Sequence, residues 1–338
     1  MVFLYGLMSP SNFDHVRHHV IPPHAEKLKG KELTNYVNSV QNFFRVKEDP
    51  SKTRRPLMSH AHAKPSPNTV MLEADPFDSL TGLPLSFDAR DNWPACKSIG
   101  YIRDQSQCGA CWAFGAAEVM SDRYCIQTNG TLQPVISADD LLSCCSACGY
   151  GCDGGYPYDA FEYWTKTGIV TGGGYYEQEG CRPYEIEPCG THVVNGVSHN
   201  HDCKGFNPKT PKCSKSCTTS YAKAYSNDKF YGKNSYGVYN DILQIQREIY
   251  KNGPVEAAFT VYEDFYDYTS GVYVHTAGEE LGGHAVKIIG WGVENSVPYW
   301  LIANSWNNDW GENGFFRMIR GTNNCGIEEA IVAGQPKV

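Results

Sequence analysis

Fourteen cysteines, none of them before Cys96, constrain this 338-residue chain more than any other feature. They stand at positions 96, 108, 111, 125, 144, 145, 148, 152, 181, 189, 203, 213, 217 and 325. Cytosolic thiol buffers would keep such a cluster reduced, so a framework this dense points to an oxidising compartment, outside the cell or in a vesicle. The first 95 residues have no such staple and must fold or dock by other means.

With 41% hydrophobic and 20% charged residues, the chain buries a substantial core, as one large domain or two modest ones. The net charge of −8 and the lack of any long basic run argue against nucleic acid or an anionic membrane as the main partner. No apolar stretch approaches the roughly 20 residues that span a bilayer. The opening MVFLYGLM reads as a remnant of a signal region within residues 1–20, though it lacks a basic start and a small-residue cleavage site. Charge divides the rest. Residues 1–82 hold ten Lys/Arg against eight Asp/Glu, whereas the remainder holds nineteen against twenty-nine. A slightly basic, cysteine-free leader over residues 21–82 thus precedes an acidic, cysteine-rich body over 83–338, the pattern of an inhibitory pro-segment docked on an enzyme. In KELTNYVNSVQNFF, Leu33, Tyr36, Val37, Val40, Phe43 and Phe44 follow helical spacing and want a partner surface. The basic, proline-containing KTRRPLMSHAHAKPSPN after it reads as an exposed, cleavable linker.

In the body, helical patterns come first, in CWAFGAAEVMSDRYCIQ and DGGYPYDAFEYWTKTG. Strand patterns come late, in HAVKIIGWGV, PYWLIAN and GFFRMIRG. This order predicts an α+β fold of two lobes, a helical left lobe over about 83–230 and a β-rich right lobe over about 231–338, with the active site between them.

The stretch QSQCGACWAF places Cys108 and Cys111 at the entrance of the first of these helices. A thioredoxin-like redox couple would need a βαβ context. A zinc site built with Cys144, Cys145, Cys148 and Cys152 would have to use adjacent cysteines as ligands, which suits a tetrahedral ion poorly and suits disulfides better. A third reading makes Cys108 structural and Cys111 a nucleophile, its thiolate favoured by the helix N-terminus. That reading needs a base and an orienting group. His284, in GGHAVKIIGWG at the head of a strand, offers the base. Asn304 could accept from one imidazole nitrogen, and Trp306 could shield that bond. With Cys111 set aside, thirteen cysteines remain, and Cys325, more than a hundred residues past Cys217, is the candidate for a second free thiol.

CGACW matches the nucleophile signature C-G-[SA]-C-[WY], and LPLSFDAR, CDGGYPYDAF, GCRPY, TPKCSK, YKNGPVE, GGHAVKIIGWG and NSWNNDWGENGFF accompany it. Through these stretches residues 83–338 resemble the papain family of cysteine peptidases, and within it the cathepsin B-like members. The resemblance implies a zymogen that hydrolyses peptide bonds, both internally and by removing C-terminal dipeptides, in a lysosomal, endosomal or secreted setting. It implies catalytic roles for Cys111, His284, Asn304 and Gln105, the last as an oxyanion donor. Gly154 and Gly155 would admit substrate backbone closely. Tyr156, Pro157, Ala258, Ala285 and Ala330 would line a mostly apolar pocket for the residue two before the cut, with Glu329 one position away from converting it to an acidic one. The resemblance further implies the disulfides Cys96–Cys125, Cys108–Cys152, Cys144–Cys213, Cys145–Cys148, Cys181–Cys217 and Cys189–Cys203. It implies no cofactor or metal, protein and peptide substrates, inhibition by the pro-segment and by cystatin-type proteins, and a monomer. NGT at Asn129 is a glycosylation acceptor motif.

The spacing from Cys111 to His284 is 173 residues, against the family's usual 130–150 or so, which demands an insertion. CGTHVVNGVSHNHDC, residues 189–203, resembles the occluding loop of the cathepsin B-like members. There the resemblance assigns His192 to the substrate's terminal carboxylate and puts Thr191 where another histidine would latch onto Asp104, with His199 or His201 as substitutes. A catalytically inactive papain-like binding module is the alternative, and it would be expected to lack Cys111 or His284.

Overall fold

A computed structural model describes residues 20–49, 54–73, 82–194, 196–202 and 204–338. Apart from Val20, the signal-region reading lies outside these residues. The first helix, α1 (Gly30–Val40), buries Leu33 and Val37 one turn apart. It stops short of the expected end at Phe44 because the Gln41 side chain caps the chain's exit. Gln41 Oε1 accepts from the N–H groups of Phe43 and Phe44, and its Nε2 donates to the Val37 carbonyl. Phe43 and Phe44 therefore leave the helical path, and Phe44 begins a strand.

The strands are β1 (Phe44–Val46), β2 (Phe87–Asp88), β3 (Gly190–Val194), β4 (Val197–His201), β5 (Gly232–Val238), β6 (Val255–Tyr262), β7 (Tyr268–Tyr273), β8 (Glu280–Glu294), β9 (Val297–Ala303), β10 (Phe315–Ile319) and β11 (Ala330–Pro336). Among the described residues, nine of them join one sheet in the order β1-β7-β10-β9-β8-β6-β11-β5, with β2 on β8, while β3 and β4 form a separate hairpin. The leader thus contributes the edge strand β1. Opposite the sheet lie α2 (Cys111–Gln127), α3 (Ala138–Cys144) and α4 (Pro157–Thr167), and α5 (Ile242–Asn252) follows β5. Pro157 opens α4, where its missing N–H costs no helical bond. Helix α2 is buried on every face from Cys111 to Ile126. Its charged residues are compensated inside, Asp122 by Lys287 at 2.9 Å and Arg123 by Glu248 at 2.9 Å.

Beside a small third cluster of Val272, Val274, Val297 and Ile319, two large hydrophobic cores result among the described residues. One gathers Phe259, Phe265, Ile288, Trp300 and Met318 from the sheet; the other gathers Trp112, Leu141, Phe161 and Trp164 from the helices. The boundary expected near residue 230 does not separate them. Phe87, Cys96, Ile99 and Ile102 pack in the sheet's core, because β2 pairs with β8, and Ala330 and Val332 of the C-terminal strand pack with the helices. Residues 87–102 and the C-terminal strand thus cross between lobes and strap them together. Five disulfides link Cys96–Cys125, Cys108–Cys152, Cys144–Cys213, Cys145–Cys148 and Cys181–Cys217, and Cys111 and Cys325 are free. Cys189 is also disulfide-bonded, and its expected partner Cys203 lies outside the described residues.

Candidate active site

Cys111 is the first residue of α2, whose opening N–H groups have no intrahelical partner. The Cys108–Cys152 disulfide anchors the loop before it, aided by Gly109 N–H donating to the Cys152 carbonyl at 2.9 Å. A Cβ on Gly109 would stand 2.4 Å from that carbonyl, so the close approach requires glycine. Across the cleft, His284 is not at the head of its strand but five residues into β8, which begins at Glu280, and it pairs in register with Phe259 of β6. Its Nε2 donates to Asn304 Oδ1 at 2.7 Å. That bond fixes the tautomer and leaves Nδ1 with a lone pair and no partner. Trp306 stacks on the imidazole at 4.7 Å, and Tyr266 stacks on Trp306 at 5.1 Å, almost parallel.

Gln105 is buried and held from both ends. Ser305 Oγ donates to its Oε1 at 2.8 Å, while its Nε2 donates to the Cys108 carbonyl at 2.8 Å and to the carbonyl of Pro56 in the leader at 3.1 Å. Ser305 and Tyr266 were not singled out in the sequence. Ser305 adjoins Asn304 and shares its signal, but nothing in the spacing of Tyr266 marks it.

On the other side of Cys111, strand register assembles the expected pocket residues into one row. Ala330 faces Ala258 across β11 and β6, and Ala258 faces Ala285 across β6 and β8, so three alanines stand in one row. Met58 of the leader packs in the same hydrophobic cluster, 1% exposed. Gly154 has φ +113°, and a Cβ there would lie 2.7 Å from Met58 Cβ, while one on Gly155 would strike the Trp112 ring at 2.8 Å. Tyr156, just before Pro157, meets His62 of the leader edge to face at 4.7 Å. Glu329 stays outside the row, bonded to Asn323 and to Lys64 of the leader.

The segment read as an exposed linker is instead docked along the cleft. Met58 exchanges two backbone hydrogen bonds with Gly283, at 3.0 and 2.9 Å, as an antiparallel strand would. Its basic residues find carboxylates: Arg54 on Glu263 at 2.6 Å, Arg55 on Asp104 at 2.6 Å, and Lys64 on Glu329 at 3.2 Å. Composition had suggested exposure, but these ion pairs and the apolar contacts of Met58 and Ala63 offset the cost of burial.

Covering changes the chemistry. Burial pushes the Cys111 thiol up to about 12, against backbone N–H groups that favour the thiolate. Burial likewise drives His284 down to about 4, with the Asn304 bond only partly opposing it. Under the leader, burial therefore favours the neutral form of both groups.

The hairpin β3–β4 corrects a further expectation. With Thr191 in place of a histidine, Asp104 was expected to lose its latch, yet His192 itself lies 3.2 Å from Asp104 Oδ2. Burial disfavours the charged ring, but the bond and charge of Asp104 outweigh it and raise the His192 pKa. Asp104 is likewise held below its ordinary value, burial being overcome by Arg55 first and His192 next. His201 pairs with Glu187 at 3.2 Å, and His199 stacks on Tyr176 at 4.0 Å. No group of acidic, histidine or cysteine side chains among the described residues could hold a metal ion, and no described helix is long and apolar enough to cross a membrane.

The profile described as papain family cysteine protease matches residues 83–335. "Cathepsin B-like cysteine proteinase 5" of Caenorhabditis elegans is 52% identical over 327 residues, 94% of this chain and 94% of that protein. A "Gut-specific cysteine proteinase" of the same organism is 52% identical over 320 residues, covering 93% of each. Among solved structures, "proCathepsin B S9 from Trypanosoma congolense" superposes with a TM-score of 0.76 at 35% identity, covering 91% of this chain and 99% of that one.

Proposed function

The chain belongs to the papain family of cysteine proteases, as a cathepsin B-like member, and from that premise we propose that it is a zymogen whose leader, residues 21–82, blocks a Cys111–His284 catalytic centre until it is removed. The observation that carries this reading is the Pro56 carbonyl of the leader on the Gln105 amide, with Met58 strand-paired to Gly283 beside the nucleophile. Once the leader leaves, His284 Nδ1 takes the Cys111 proton and the thiolate attacks the scissile carbonyl. The developing oxyanion is held by Gln105 Nε2 and the N–H of Cys111. Imidazolium then protonates the leaving amine, and water, deprotonated by the same ring, releases the acyl group. Asn304 keeps the ring in plane and Trp306 excludes water from that bond.

The alanine row takes an apolar side chain two residues before the cut, as Met58 does now. On that assignment the leader runs opposite to a substrate, Arg54 and Arg55 lying on the leaving-group side and Met58 to His62 on the pocket side, which explains why it blocks without presenting a cleavable bond. The disulfides fit action in a lysosomal or endosomal vesicle or outside the cell. The experiment is to trim the leader and assay peptides with leucine or arginine two before the cut, alongside an epoxide cysteine probe. Leucine should be preferred and the probe should label wild type but not Cys111→Ala. Failure of both cleavage and labelling would leave the inactive binding module standing.

Alongside endopeptidase action we propose removal of C-terminal dipeptides, with protonated His192, anchored on Asp104, receiving the substrate's carboxylate at acidic pH. One peptide assayed as free acid and as amide separates this from a merely structural hairpin. His192→Ala should slow the free acid about fivefold, as befits the loss of one charge contact of about 1 kcal/mol. Equal slowing of acid and amide would remove His192 from that role.

A further inference from the structure

The leader's Arg54 occupies a site that no part of the catalytic machinery explains. Its Nη1 lies 2.6 Å from Glu263 Oε2, and its guanidinium sits 4.9 Å over the Tyr266 ring. Glu263 is only 6% exposed beneath it. A second carboxylate, Asp267, stands on the same wall, and its Oδ2 has no hydrogen-bond partner. Position relative to the chemistry follows from three stacked rings. Tyr266 lies on Trp306 and Trp306 lies on His284, the group that protonates the departing amine. Tyr266 O–H also donates to the Arg55 carbonyl at 2.7 Å, so this wall grips backbone as well as side chain. The cavity there, about 880 Å³, opens between β3–β4, leader residues 47–49 and 54–55, and residues 266–269.

When the leader departs, Glu263 loses the cation that covers it, beside an aromatic face that attracts one. A guanidinium or ammonium group arriving with substrate can take Arg54's place, pairing with the carboxylate and lying over the ring. We infer that Glu263 and Tyr266 form a subsite for an arginine or lysine side chain within the first two residues after the scissile bond, a site that Arg54 of the chain's own leader fills in the zymogen. This rests on the protease reading above. It gives the enzyme a preference on its leaving-group side opposite in character to the apolar pocket before the cut.

The test uses the trimmed enzyme and internally quenched peptides identical before the cut, with arginine, leucine or glutamate placed at the first or the second residue after it. Arginine should exceed leucine in kcat/KM about tenfold at one of the two positions, with glutamate slower still. Glu263→Gln should bring the arginine-to-leucine ratio close to one, and Tyr266→Leu should lower it chiefly through KM. An arginine-to-leucine ratio within twofold of one in the wild-type enzyme would overturn the inference, and so would a ratio that Glu263→Gln leaves unchanged. If the leucine peptides are not cleaved at all, the protease reading fails and the inference falls with it.

Discussion

Gln105→Ala should lower kcat of the trimmed enzyme by about 10²- to 10³-fold while KM changes little. The side chain is pre-positioned: Oε1 is fixed by Ser305 and one N–H by the Cys108 carbonyl, so the other N–H now given to Pro56 points where an oxyanion would form. A donor held this way meets developing negative charge without reorganising, which is why its loss falls on kcat. Because Gln105 is fully buried, alanine also leaves a cavity and an unpaired Ser305 hydroxyl. Gln105→Glu keeps the volume and should still lose most of the rate. Thermal melting and labelling of Cys111 by the epoxide probe serve as controls. A kcat within fivefold of wild type in both variants would show that the Cys111 N–H suffices.

Alkylation of Cys111 should be suppressed by at least about a thousandfold in the full chain at pH 7 relative to the trimmed enzyme. A thiol pushed up to about 12 is ionised only to about one part in 10⁵ at pH 7, whereas a thiolate paired with imidazolium reacts at once. Iodoacetamide rates against pH test this: flat across neutrality for the trimmed form, vanishing there for the full chain. Comparable rates would sink the covered-thiol account. The sign of the acid dependence then needs care. Thiol plus neutral imidazole carries one proton, and so does thiolate plus imidazolium, so from about pH 4 up to an ordinary thiol's range the pair itself does not drive release. Asp104 and Glu329 have lowered pKa values and stabilise the docked leader above their ordinary values of 3.8 and 4.5. That contribution is lost only as pH falls below these. His62 is different. Burial lowers its pKa below 6.5, so the docked leader is favoured above pH 6.5 and loses that advantage as pH falls through the lowered value. In the same assay His62→Asn should shift the acid onset of Cys111 alkylation in the full chain to lower pH, and an unmoved onset would assign release to the carboxylates.

Much of this was legible in order. CWAFGAAEVMSDRYCIQ is α2 residue for residue, and GGHAVKIIGWG and NSWNNDWGENGFF carry His284, the Asn304 amide bonded to it and the Trp306 ring stacked on it. A nucleophile, a helix start and strand periodicity are local properties, and local chemistry survives in sequence. The leader was legible in charge but not in place. Its arginines, proline and histidines have the composition of an exposed linker, and only the opposing carboxylates, 49 residues away for Arg55 and 209 for Arg54, make it a cleft-filling segment.

The sequence by itself determined the groups available: a thiol at a helix start, a histidine, an amide, a cysteine-rich body that forms disulfides and a charge contrast between basic leader and acidic body. Only the tertiary structure decided what each group is in this state. The alanine pocket exists because β11, β6 and β8 pair in one register. Lys287, directly after the apolar pair that follows His284, is tolerated in the interior because Asp122 and Glu118 of α2 and the Ser98 carbonyl meet it. His192 latches onto Asp104 because the β3–β4 hairpin brings it there, whatever its neighbour Thr191 suggests. Burial under the leader favours the Cys111 thiol over its thiolate, because ionisation answers to solvation, and solvation is set by how many groups from distant parts of the chain stand between a sulfur and water.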